Sequence, residues 1–226
     1  MAVEGFMERC YVPYDEAKSL IKEGDILLFR RPSSFWSSLI RASGETPYSH
    51  CGLVSFSYDN VCDLKKEISD PAIEVVEMKE IVGCRAVSLQ WYLNHYRGEI
   101  DVFSPNSSYT RLYFDCEKRK IMQKHTTFNG RRITNEMRNM GGEPYSWWKI
   151  FRLALRSLFI VRYFFDSPDI MEDRVKGLDG PVCSSAVAYC YSKHFADLTH
   201  FRNDNYMLPS DVVKSNLTHY ILTITK

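Results

Sequence analysis

Apolar residues fall in short, well-punctuated runs along this chain, and their spacing divides it into strands and helices. "GDILLFRR" (24–31) is a continuous apolar run opened by Gly-Asp, the pattern of a short strand buried on both faces. "SHCGLVSF" (49–56), "PAIEVVEMK" (71–79), "EIDVFSP" stopped by Pro105, and the final "HYILTITK" predict further strands. "PSSFWSSLIRASGE" predicts a helix: Ser33 or Ser34 can cap it, Phe35, Trp36, Leu39 and Ile40 share one face, and Gly44 can end it. "RAVSLQWYLNHY" predicts a strand followed by a helix.

Two regions read differently. "SYDNVCDLKKEISD" is polar and charged, which predicts a surface excursion near 57–70 between two paired strands. From 106 to 142, "DCEKRKIMQKHTTFNGRRITNEMRNMGG" predicts a helix, a Gly-containing turn and a second helix ending at Gly141-Gly142, with "EKRKIMQK" as a solvated helix face. After "GEPYS", the stretch "WWKIFRLALRSLFIVRYFF" (147–165) predicts a long aromatic helix with a basic stripe. A last helix begins at "VCSSAVAYCYSK". Strands and helices mix without regular βαβ alternation, so the expected class is α+β, in a single domain spanning 1–226.

Composition narrows the function classes. The net charge is +1, which gives no general attraction to nucleic acid. The 147–165 helix carries Lys149, Arg152, Arg156 and Arg162, too many charges for a membrane span, though it leaves peripheral membrane contact open. The N-terminus carries acids early and lacks an apolar core of signal-peptide length, which predicts a cytoplasmic location and leaves a viral, phage or effector origin open. Seven irregularly spaced cysteines without a CxxC pair predict reduced thiols rather than a disulfide framework.

One of those thiols stands at a special address. Gly180 and Pro181 stop the chain just before a helix, so Cys183 falls on the first turn. Unpaired N–H groups and the helix dipole there favour a thiolate, and the same N–H groups can hold an oxyanion. The residues alone fit either a buried small hydrophobe or a nucleophile. A nucleophilic thiolate needs a base. His50 opens an otherwise apolar strand, whereas His194 lies eleven residues along the helix of Cys183, about 16 Å away at 1.5 Å per residue. If the strands at 49–56 and 71–79 pair with Phe56 opposite Pro71, His50 falls opposite Glu77, a carboxylate set among Val75, Val76 and Met78. Glu74 points to the other face.

"GGEPYSWW" resembles the G-x-P-Y-x-W motif of NlpC-type papain-fold cysteine hydrolases, and "VCSS" is similar to their D-C-S-G nucleophile motif. "YSHCGLV" precedes the cysteine here, with "GDILLF" further upstream, and this order resembles the circularly permuted, YiiX-like branch related to lecithin:retinol-acyltransferase-like enzymes. The resemblance covers roughly residues 24 to 215. It implies a circularly permuted papain-like fold, Cys183 as nucleophile, His50 as base, Glu77 as third polar residue, and Tyr145 near the oxyanion. It implies a cysteine hydrolase or amidase acting on a peptide, amide or ester, with no cofactor. The rival expectations are an acyl-lipid acyltransferase or deacylase, and a non-catalytic interaction module on the same fold. Val182 replaces the motif's aspartate and Ser185 its glycine.

Smaller signals complete the reading. Cys190 and His194 have the i, i+4 spacing of a metal-binding helix face, but no further ligands accompany them. "NSS" at 106 and "NLT" at 216 match glycosylation sequons that matter only in a secreted chain.

Overall fold

A computed structural model describes residues 8–30, 47–57, 72–115, 117–146, 181–194, 196–198, 204 and 207–226. In chain order the elements are β1 (Tyr11–Pro13), α1 (Tyr14–Ala17), β2 (Ile26–Arg30), β3 (Tyr48–Ser57), β4 (Ala72–Lys79), β5 (Gly83–Ser88), α2 (Leu89–His95), β6 (Glu99–Pro105), β7 (Ser108–Asp115), β8 (Lys120–Thr127), α3 (Gly130–Asn139), α4 (Cys183–Lys193), α5 (Pro209–Lys214) and β9 (Thr218–Thr225). Among the described residues, nine strands and five helices in this arrangement are of the α+β class. The helices predicted at 33–44 and 147–165 and, apart from Ser57 at the end of β3, the excursion at 57–70 lie outside the described residues. Among the described residues, no helix is long and apolar enough to cross a membrane.

Seven strands form one sheet in the order β1-β9-β6-β2-β3-β4-β5, antiparallel except for the β1–β9 pair. The continuous apolar run of β2 has its cause here, because both sheet faces are covered. Ile26 and Leu28 join one core with Leu53, Val76, Met78 and residues of α3 and α4, including Met137, Ala186 and Tyr191. Leu27 and Phe29 join the other, with Val54, Val75, Val102 and the α2 residues Leu89, Tyr92 and Leu93. Period-two alternation along the strand thus feeds two layers.

The sequence reading of 106–142 needs correction. Its first half is not a helix but a separate two-stranded ribbon, β7 paired with β8 from Ser108↔Thr127 to Asp115↔Lys120. The Tyr, Thr and Phe content of "SYTRLYFD" suits a pleated strand, and the charged "EKRK" lies at the turn, where Arg119 takes a left-handed φ of 49°. The second predicted helix exists as α3, its N-terminus capped by the Asn129 side chain accepting from the Arg132 N–H at 3.1 Å.

The β3–β4 register also differs from expectation. Phe56 pairs with Ile73 and Leu53 with Val76, two residues away from the register that sets His50 opposite Glu77. A two-residue offset leaves every side chain on its own face. Glu77 therefore still shares a face with His50, one diagonal step away, within reach of long side chains. Gly52 makes room for this step. A Cβ there would lie 2.8 Å from Val75 Cγ1 and 3.2 Å from Glu77 Cβ. We therefore expect Gly52→Ala to cost about 1–3 kcal/mol through overpacking. Urea unfolding of the purified variant measures this, and an unchanged midpoint would show that the strands part without strain.

Candidate active site

The β3–β4 ladder ends at Leu53↔Val76, although β3 runs back to Tyr48 and β4 runs on to Lys79. The candidate site forms where the paired ladder stops. On the β2 side, Phe29 pairs with His50 but Arg30 pairs with Tyr48, so Ser49 is an extra residue in β3. Such a bulge re-aims the side chains beside it. Tyr48 accordingly packs in the same core as Cys51 and Leu53. The His50 ring rests against Phe29, with ring centroids 5.2 Å apart.

Glu77 is the anchor. It is fully buried, and an ionised carboxylate in that position needs several partners. His50 Nε2 contacts Oε2, while Oε1 accepts from Arg85 Nε at 2.7 Å and from the Tyr92 hydroxyl. Arg85 sits directly opposite Glu77 in the β4–β5 ladder, and its guanidinium also donates to the Tyr92 oxygen at 3.2 Å. Burial would raise the Glu77 pKa, but the His50 charge and the hydrogen bonds from His50 and Tyr92 outweigh it and bring the group to about 2. Glu77 is thus ionised throughout the neutral range.

Cys183 occupies the first turn of α4, as its sequence address predicts. The helix start is held from three directions. Ser185 Oγ accepts from the Val182 N–H at 3.0 Å, Ser184 Oγ donates to the Met207 carbonyl at 2.5 Å, and the Ser146 N–H donates to the Pro181 carbonyl at 3.1 Å. Ser185, the departure from the motif's glycine, therefore closes the N-terminal turn. The Ser146 bond ties the "GEPYS" segment to the helix start and brings Tyr145, itself buried, into the same cluster as Cys183 and Cys51.

The electrostatics favour a charged pair. The largest influence on Cys183 is the hydrogen bond from the Cys51 thiol, and the Cys51 backbone N–H also donates to the sulfur. Burial opposes ionisation, but the His50 charge and hydrogen bond add to the donors, and the Cys183 pKa falls well below the usual thiol range. Burial pulls the His50 pKa down, whereas the charges of Glu77 and Cys183 push it further up, to about 9. Both shifts favour the thiolate–imidazolium form of the pair. Burial and the neighbouring thiolate hold the Tyr145 pKa well above the ordinary phenol value, so its hydroxyl remains a donor.

The structure thus brings Cys183, His50 and Glu77 together and sets Tyr145 beside them. Arg85, Tyr92 and Cys51 belong to the same cluster and were not marked by the sequence reading. Cys190 and His194 do not join it: Cys190 is buried in the core, and His194 ends α4 with Nε2 3.9 Å from Glu136 Oε1. Among the described residues, no group of three or more His, Cys, Asp or Glu is placed to hold a metal ion.

Comparison with known proteins bears on the fold. No family model matches the chain, and no curated protein does. Among solved structures, the chain is similar to the metalloprotein YiiX from Escherichia coli O157:H7, with a TM-score of 0.53 and 13% identity over 91% of this chain and 98% of that one. The YiiX-like resemblance therefore holds at the level of the fold.

Two outcomes follow for the thiol. Alkylation of Cys183 by iodoacetamide should rise less steeply in rate between pH 6 and 8 than that of an ordinary thiol, because its neighbours lower the Cys183 pKa well below the usual value. An ordinary exposed thiol gains roughly tenfold per pH unit over that range. Peptide mapping after timed alkylation distinguishes the two. Cys51→Ala should move the Cys183 alkylation midpoint to higher pH through loss of one donor to a charged sulfur, whereas an unmoved midpoint would show that the Cys51 thiol does not stabilise the thiolate.

Proposed function

We propose that this protein is a cysteine hydrolase on a circularly permuted papain-like fold, cleaving an amide or ester through an acyl-thioester on Cys183. The observation that carries the reading is the connected set Cys183–His50–Glu77, with the carboxylate buried and clamped by Arg85 and Tyr92. A structural ion pair needs no thiolate at a helix start, and a packing cysteine needs no imidazolium beside it. The order of the parts along the chain, strand with His50, strand with Glu77, then helix with Cys183, matches the permuted branch. The donor set argues against a metal centre here, because Glu77 is already committed to His50, Arg85 and Tyr92.

The chemistry follows from the resting charges. The Cys183 thiolate attacks the substrate carbonyl carbon, and the developing oxyanion is held by the Cys183 backbone N–H and the Tyr145 hydroxyl. His50, already protonated, gives its proton to the leaving amine or alcohol as the carbonyl re-forms, leaving the acyl group on sulfur. The neutral imidazole then takes a proton from water, whose oxygen attacks the thioester and releases the acid. Glu77 keeps the ring oriented and offsets its positive charge, with Arg85 and Tyr92 fixing the carboxylate.

Kinetics on a panel of activated esters and amides test this reading. Cys183→Ala and His50→Ala should each lose about 10³-fold or more in kcat, and the double variant should be no worse than either single one, since the two act as a unit. Glu77→Gln should cost less, because an amide still accepts the ring N–H without offsetting its charge. Tyr145→Phe should cost least, about 10-fold to 100-fold, as one oxyanion donor among several. If the losses at Cys183 and His50 multiply, the two residues act independently and the mechanism is wrong.

A further inference from the structure

The bulge beside His50 decides which way Tyr48 faces. Phe29 pairs with His50 and Arg30 with Tyr48, so Ser49 is the extra residue between two ladder pairs. In a flat register Ser49 would stand opposite Arg30, and Tyr48 would share the face of His50 and Phe29. With the bulge, Tyr48 lies instead on the face of Arg30 and Leu28. Asp101 is on that face too, directly opposite Leu28 in β6. The Tyr48 hydroxyl reaches across β2 and donates to Asp101 Oδ2 at 2.7 Å. Arg30 donates to Oδ1 of the same carboxylate at 3.1 Å, and Thr223, opposite Asp101 in β9, donates to it at 2.6 Å.

Asp101 is fully buried, and Tyr48 and Arg30 nearly so. A buried carboxylate holds its donors firmly, since each one lost leaves an oxygen bare in the core. The Tyr48–Asp101 bond exists only while Ser49 is bulged, because the flat register turns the phenol to the other side of the sheet. The bond therefore opposes any slip of β3 into that register. His50 is the residue directly after the bulge, so the aim of its ring depends on the same distortion. That ring meets Glu77 diagonally, beyond the point where the β3–β4 ladder ends at Leu53↔Val76. Position 50 is thus held from β2 and from the bulge, and not by pairing with β4.

We propose that Tyr48 and Asp101 are positioning residues for His50, pinning the bulge that turns its ring toward Glu77. This role rests on His50 being the base of the hydrolase proposed above. Both residues act through the β3 backbone rather than on the reacting atoms. Burial and the neighbouring Asp101 hold the Tyr48 phenol well above its ordinary pKa, so it stays a donor across the neutral range. The groups that set the His50 charge are Glu77 from β4 and Cys183 from α4, with Arg85 of β5 and Tyr92 of α2 behind the carboxylate. Tyr48→Phe replaces none of them and changes only how the ring is held.

Carbon NMR of the full chain with labelled histidine follows the His50 ring through its titration, the signal being assigned by its loss in His50→Ala. In Tyr48→Phe the His50 midpoint should fall from about 9 toward the ordinary 6.5, because the contact with Glu77 loosens. Turnover of activated esters should fall about 10-fold to 100-fold in kcat, as misplacement of a reacting group does. Ser104→Ala is the control. It removes a hydroxyl that donates to a different buried carboxylate, Asp25, at 2.5 Å from the same strand β6. It should lower the urea midpoint as Tyr48→Phe does, while leaving the His50 titration and kcat unchanged. The positioning role is overturned if Tyr48→Phe lowers only the urea midpoint, or if Ser104→Ala moves the titration as far. A wild-type His50 that already titrates near 6.5 overturns it as well. Should Tyr48→Phe fail to fold, Asp101→Asn takes its place with the same expected results. Wild type without turnover removes the hydrolase, and the titration alone then decides on Tyr48; turnover beside an unmoved titration keeps the hydrolase and removes the positioning role.

Discussion

Glu77 is a charged group with no exposed surface, and its need for partners organises the whole candidate site. A buried carboxylate left unpaired costs several kcal/mol, so the fold must deliver cations and donors to it. Three different elements do so. β3 brings His50, β5 brings Arg85 through a directly opposed position, and α2 brings Tyr92 from above the sheet. Gly52 yields the space through which β4 side chains approach. The charge on Glu77 then raises His50, and the His50 charge helps lower Cys183, so the carboxylate acts on the thiol at the helix start through the imidazole.

This chain of influence explains how a thiolate is favoured in a place that would otherwise suppress it. Burial alone raises a thiol, as it does for Cys190 in the same helix. Six residues lie between the two cysteines, and only the one at the helix start has its pKa lowered by an imidazolium and a second thiol donor. The helix places the sulfur, but the sheet supplies the charge. A likeness to YiiX at 13% identity carries the fold, and the chemistry rests on these local contacts.

Much of this was legible in the sequence, and the failures have physical causes. Continuous or alternating apolar runs between turn residues marked β2, β3, β4, β6 and β9, because burial of each face repeats with period two. Cys183, His50 and Glu77 were legible for a second reason, being polar or reactive residues set within apolar elements. The register of β3 and β4 was misjudged by two residues, since hydrophobic alternation fixes the face but not the step along it, and the connecting segment gives no tight turn to count from. Charged residues in "EKRKIMQK" suggested a helix face, but their spacing also fits a strand turn, and the aromatic and β-branched neighbours decided for the ribbon. Arg85 and Tyr92 carried a signal that pairing β4 with β5 around Gly83 would have exposed, because that pairing sets Arg85 against Glu77. Cys51 carried none, as a cysteine between His and Gly in a strand reads as ordinary packing until the helix above it is in place.

The central claim is that an acyl group passes through the Cys183 sulfur. Its most direct measurement is intact-mass and peptide-mapping analysis after rapid acid quench of the protein with an activated acyl ester. The account predicts a single acyl adduct on Cys183 that is removed by neutral hydroxylamine, as a thioester is, and that fails to form in Cys183→Ala. Turnover with the adduct on another residue, or turnover that persists in Cys183→Ala, would contradict it.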